Sequence, residues 1–113
     1  MELSRSDRDG VSCIKVFGKL TATKLTESLR GMVKDAISTG IRDIVIDMSE
    51  VIHMDSTGVG ELISAYTAVS KEKGTLHLWK VPEMVEELLD ATNLLEVFSI
   101  LEENDEITAA FNA

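Results

Sequence analysis

Residues 43–61, DIVIDMSEVIHMDSTGVGE, set a β-branched run just ahead of a Ser/Thr/Gly turn and a helical apolar repeat. A strand that passes so quickly into a helix belongs to a sheet covered by helices, which narrows the chain to an α/β design. Ile44, Val45 and Ile46 suit a buried strand, expected over Asp43–Met48, and Ser49 to Asp55 then cross the sheet edge. Ser56 opens the next helix as its expected N-cap. The N–H groups of a first helical turn are unpaired and favour negative charge. A serine there is either an ordinary cap or a hydroxyl whose phosphorylation the helix end tolerates.

The rest of the chain alternates in the same way. Val11–Phe17 reads as a strand, paired with Met1–Arg5 across a turn at residues 6–10. From Ala22, the residues Leu25, Leu29, Met32, Val33, Ala36 and Ile37 recur at helical spacing up to a Gly40 cap. The helix from Ser56 carries Val59, Leu62, Ile63, Tyr66 and Val69 on one face and stops at Gly74. A strand over Thr75–Val81 follows, then a helix with Pro82 in its first turn and Met84, Val85, Leu88 and Leu89 inward. Val97–Leu101 reads as a last strand and Asp105–Phe111 as a closing helix. The order β-β-α-β-α-β-α-β-α predicts a mixed, mostly parallel sheet of about five strands with about four helices packed against it. Function in such sheets gathers beyond the carboxyl ends of the strands, where residues 49–60 lie.

At 113 residues the chain forms one domain, 1–113, able to bury about 65% of its unfolded surface. A net charge of −9, from 20 acidic and 11 basic residues, argues against nucleic acid and anionic membrane as partners. The single Cys13 has no disulfide partner and the N-terminus lacks a signal-peptide pattern, so a cytoplasmic setting is expected. Glu102, Glu103, Asp105 and Glu106 read as a solvated turn. Cys13, Met48, Met54, Trp79 and Met84 follow apolar patterns and read as core.

Most catalytic readings fail on spacing. Asp55-Ser56-Thr57-Gly58 has one residue too many for the Asp-Thr/Ser-Gly of aspartic proteases, and a nucleophile elbow would need glycine where Met54 stands. His53 and His77 have neither triad nor metal-ligand spacing, so no metal is expected. Gly58-Val59-Gly60 is too short for a phosphate-binding loop, and no cofactor is expected. A receiver domain phosphorylated on Asp47, at the strand end, is a better rival, but Phe17-Gly18-Lys19 supplies no acidic pair for Mg²⁺. The Ser56-Thr57 hydroxyls come without a base, which marks a substrate of an enzyme more than an enzyme.

The segment VIDMSEVIHMDSTGVGEL resembles the STAS domain family, sulphate transporter and anti-sigma factor antagonist domains, and in particular the bacterial anti-sigma factor antagonists. The likeness covers nearly the whole chain. Its specific part is the Asp-Ser-Thr-Gly-Val-Gly turn, and Gly18-Lys19-Leu20 and the stretch from Leu88-Leu89 to Leu94-Leu95 fit the same layout. The resemblance implies that Ser56 is phosphorylated by a kinase that is itself the anti-sigma factor, a protein of the histidine-kinase-like ATPase fold. The unmodified chain would bind that kinase and free a sigma factor, the phosphorylated chain would release it, and a serine phosphatase would reset the switch. Thr57 is the lesser acceptor candidate, and Asp55 matches the Asp beside the acceptor. Many antagonists carry Asp where this chain has Thr21, in a stretch bordering the partner surface, so Thr21 bears on partner identity.

The expected molecule is therefore a non-enzymatic phospho-switch, monomeric when free. Its expected partner surface comprises Met54, Asp55, Ser56, Thr57, Gly58, Val59, Gly60 and Thr21. Gly58 is expected to serve a backbone angle or the close approach of the partner, and apolar Met54 and Val59 can also dock it. Two alternatives stay open: a scaffold or accessory subunit of stressosome or transporter type, never phosphorylated, and the receiver-like domain.

Overall fold

The computed structural model describes residues 2–20, 29–102 and 105–111. Strands β1 (Glu2–Arg8) and β2 (Val11–Leu20) precede α1 (Leu29–Ser38), β3 (Asp43–Met54) and α2 (Ser56–Lys71). Then come β4 (Thr75–Trp79), α3 (Glu83–Ala91), β5 (Ser99–Leu101) and a 3-10 helix, Glu106–Phe111. The five strands lie in sequence order, β1 antiparallel to β2 and each later neighbour parallel.

Asp9 and Gly10 alone make the first turn, with φ of 53° and 79°, the backbone of a two-residue hairpin loop that matches strand twist. Because so short a loop suffices, β1 runs to Arg8 instead of ending at Arg5. In the middle of the sheet, the Ile44-Val45-Ile46 run is apolar on both faces because both are covered. Ile44, Ile46 and Met48 join Ile14 and Val16 against Leu29, Val33, Leu62, Ala65, Val85 and Leu89 from the three helices. Val45 turns to the other face and packs with Val11, Cys13 and Trp79, closed over by Leu101, Ile107 and Phe111.

Several boundaries differ from the sequence reading. Residues 49–54, expected as a crossing loop, continue β3, since β2 also runs on and keeps pairing through Phe17↔Glu50 and Leu20↔Met54 after register shifts. β4 stops at Trp79 because Lys80 takes a left-handed φ of 53°. Pro82 is the N-cap of α3, one place ahead of its first turn. Among the described residues, three α-helices and a 3-10 turn stand where about four helices were expected; Ala22 and Leu25 of the first lie outside them. Ile63, expected inward, is 39% exposed, because the buried stripe of α2 runs through Gly58, Leu62, Ala65 and Val69 instead.

Candidate functional site

The long β3 delivers the chain to α2 through one residue. Asp55 is extended, with φ −124° and ψ −169°, and its Oδ1 accepts from the Thr57 and Gly58 amides at 2.9 and 3.3 Å. Asp55 is thus the N-cap, and the capping role expected of Ser56 is corrected. Asp and Ser cap about equally well, so the position where the strand backbone ends decides between them. Ser56 becomes the first residue of α2, exposed beside Thr57, with neither hydroxyl engaged in the cap.

Gly58 is buried, and the reason for it lies inside the chain. A Cβ there would collide with the Leu20 carbonyl oxygen and come within 2.5 Å of Met54 Cγ. The start of α2 is pressed against the end of β2, where the Asp55 amide also donates to the Leu20 carbonyl at 3.4 Å. Neither a special backbone angle nor an approaching partner explains this glycine. Met54 and Val59 are 4% and 6% exposed and belong to the main core, so they offer no docking surface. Gly60 differs: it is exposed, and a Cβ built on it meets nothing within 4 Å. Thr21 lies outside the described residues.

The exposed side of α2 carries Ser56, Gly60, Ile63 and Thr67 at helical spacings of four, three and four. Ile52, at the end of β3, is 68% exposed. Reading Ile63 as core hid this stripe, and a stricter 3.6 period through Leu62, Ala65 and Val69 would have shown it.

Asp47, the rival phosphate acceptor, is only 6% exposed and accepts from the Ser49 amide at 2.9 Å, so its carboxylate is committed to the strand end. Burial, with Asp47 nearby, pushes the Cys13 thiol up to about 11, which leaves it inert at neutral pH. At the amino ends of β3 and β4 a row of hydrogen bonds went unread in the sequence. Thr75 Oγ1 donates to Asp43 Oδ1 at 2.7 Å, while His77 meets Thr75 at 3.2 Å and Ser99 at 2.8 Å. Threonine stands between histidine and carboxylate, so the row lacks the direct contact of a triad. Among the described residues no His, Cys, Asp and Glu cluster could hold a metal, and no helix is long and apolar enough to cross a membrane.

The sequence model for the STAS domain matches residues 3–107. An anti-sigma-B factor antagonist of Staphylococcus aureus is 28% identical over 105 residues, covering 90% of this chain and 94% of its own. Among solved structures, the anti-sigma factor antagonist SpoIIAA in its unphosphorylated form superposes with a TM-score of 0.76 at 18% identity, over 99% of this chain and 98% of its own. The phosphorylated form of the Bacillus cell fate determinant SpoIIAA gives 0.68 at 17% identity, over 96% and 99%.

Proposed function

Since the chain belongs to the STAS domain family, we propose that it is an anti-sigma factor antagonist whose binding is switched by phosphorylation of Ser56. The observation that carries this reading is the exposed Ser56 at the first position of α2, beside a cap that Asp55 already supplies. Its partner is an anti-sigma factor serine kinase of the histidine-kinase-like ATPase fold, reset by a serine phosphatase in the cytoplasm. The chain is the substrate and the binding partner in this exchange, and no catalysis is asked of it. The partner surface follows the exposed stripe of Ser56, Gly60 and Ile63 together with Ile52. Gly60 supports that choice: nothing in this chain requires a glycine there, although glycine costs an exposed helix about 0.5–1 kcal/mol against alanine. A partner backbone lying close to α2 supplies the missing reason.

The switch acts on the complex and leaves the fold alone. A phosphate adds about −1.5 to −2 charges, and at a helix N-terminus negative charge is favourable by about 0.3–1 kcal/mol, with the Asp55 carboxylate opposing part of that gain. Local melting is therefore the wrong mechanism. Desolvating the phosphate against a bound partner costs several kcal/mol, and about 2.7 kcal/mol already lowers affinity a hundredfold.

Incubation with the cognate kinase and ATP, followed by mass spectrometry, should place phosphate on Ser56 with Thr57 bare. Calorimetry should show that Ser56→Ala binds the kinase tightly and cannot be switched off. Ser56→Asp should keep the parent melting temperature and bind much more weakly. Phosphate on Thr57 with bare Ser56, or an Asp variant that binds like the parent, would sink the reading.

A further inference from the structure

The carbonyl ends of α1 and α2 converge at the end of the molecule away from Ser56, because both helices run back from the carboxyl end of the sheet. Between them lies a groove of about 510 Å³ whose walls carry Arg30, Lys34, Arg42 and Lys71. Four of the chain's 11 basic residues thus line one groove of a protein with net charge −9, and Glu72 is the one carboxylate among the described lining residues. None of the four forms an ion pair among the described residues.

Helix termini account for two of these cations and leave two over. Arg42 Nη1 donates to the carbonyls of Ile37 and Ile41, both at 2.9 Å, and so closes the end of α1. Lys71 stands in the last turn of α2, where its charge complements the helix dipole. Arg30 and Lys34 sit in the first half and middle of α1, beyond the reach of its carbonyl end. Four residues apart on one helix, they repel each other at a cost to α1. They face the groove across from Lys71, and among the described residues no carboxylate is paired to either.

We propose that this groove binds a compact phosphate compound bearing several negative charges. The Arg42 guanidinium is held by two carbonyls, so it needs no ordering before it meets a phosphate oxygen. The volume falls in the range of small-ligand sites. Compactness follows from the rest of the surface: a chain with 20 acidic residues repels an extended polyanion along its length, whereas a small one meets only the groove. Lys71 lies 15 residues beyond Ser56, about 22 Å along α2 at 1.5 Å per residue, so the site is separate from the phosphorylated end and stands whether or not the antagonist reading holds.

The test is titration of the full unphosphorylated chain with sodium tripolyphosphate by calorimetry at low ionic strength, with sodium sulfate at matched ionic strength as reference. Saturable one-to-one binding is expected, weakened about tenfold or more in the double variant Arg30→Gln/Lys34→Gln. It should be unchanged in Lys15→Gln, whose cation lies over Phe17 on another part of the sheet. Circular dichroism of the double variant checks that α1 is intact; losing two like charges should leave it at least as stable. Heats that do not saturate, an equal response to sulfate, or a double variant that binds like the parent would each overturn the proposal.

Discussion

Asp55 and Gly58 hold the turn that presents Ser56, and they do so by different means. Asp55 satisfies two amides that the helix leaves open. Asp55→Ala should cost about 0.5–2 kcal/mol in urea unfolding, with fraying confined to the first turn of α2 in hydrogen exchange. Asp55→Asn, which keeps the accepting oxygen, should recover most of that loss. Gly58 has no space for a methyl group between Leu20 and Met54. Gly58→Ala should therefore lower stability by about 1–3 kcal/mol, as overpacking does, whether or not a partner is present. If that variant folds like the parent and loses only partner binding, Gly58 faces the partner after all. Glu61 is a separate case: its Oε1 is buried with no hydrogen-bond partner among the described residues. A buried, unsatisfied carboxylate oxygen costs free energy that a neutral amide reduces, so Glu61→Gln should melt at a higher temperature than the parent.

At the scale of elements, the periodic segments were legible and the junctions were not. The Ile44-Val45-Ile46 run and the helical repeats specified β3, α1 and α2, since burial on a sheet face or helix stripe leaves its period in the sequence. The end of β3 was hidden because Ser49 to His53 mixes polar and apolar residues without alternation, and its strand character comes from pairing with β2 across a register shift. Pairing of that kind is a tertiary fact. The neighbourhood of Ser56 was legible in composition, but which residue caps and which is displayed depended on that unseen strand end. Two expectations belong here. Gly60→Ala should stabilise α2 by about 0.5–1 kcal/mol in the free chain and weaken binding of the proposed partner kinase; a variant equally tight for that kinase would show that the stripe is not covered. In the hairpin, Arg5 bonds Asp7 at 2.7 and 2.9 Å, and Ser12 donates to the same carboxylate at 2.7 Å. The Arg5 hydrogen bond holds the Asp7 carboxyl below its ordinary value. A carboxyl lowered on folding adds stability above its unfolded pKa, about 3.9, that is lost as pH falls through the folded value. Asp7→Asn should flatten the acid limb of the stability profile below about pH 4 and leave the neutral region sloped as in the parent.

The molecule as a whole is one sheet with two unequal covers. Three helices seal one face with most of the apolar core, while the other is closed over Val11, Cys13, Val45 and Trp79 by Leu101 and the short 3-10 helix bearing Ile107 and Phe111. A segment of six residues held by the half-buried Ile107 and Phe111 and the buried Thr108 should open at lower free energy than the helical layer. Such opening can occur without global unfolding, and Cys13 reports it. In the closed state the thiol is buried and pushed up to about 11, so at pH 8 it is doubly protected, by lack of access and by scarcity of thiolate. Each opening removes both protections at once. Phe111→Ala should therefore speed alkylation of Cys13 by iodoacetamide about tenfold or more, since losing even 1.4 kcal/mol of cover multiplies the open population by ten. Ser56 sits at the start of α2, on the helical side of the sheet, and the rate of its proposed phosphorylation should not change in that variant. Faster alkylation with an equal loss of global stability in urea would mean that the two covers unfold as one unit. Faster alkylation at unchanged global stability would establish the weaker face as an independent opening unit.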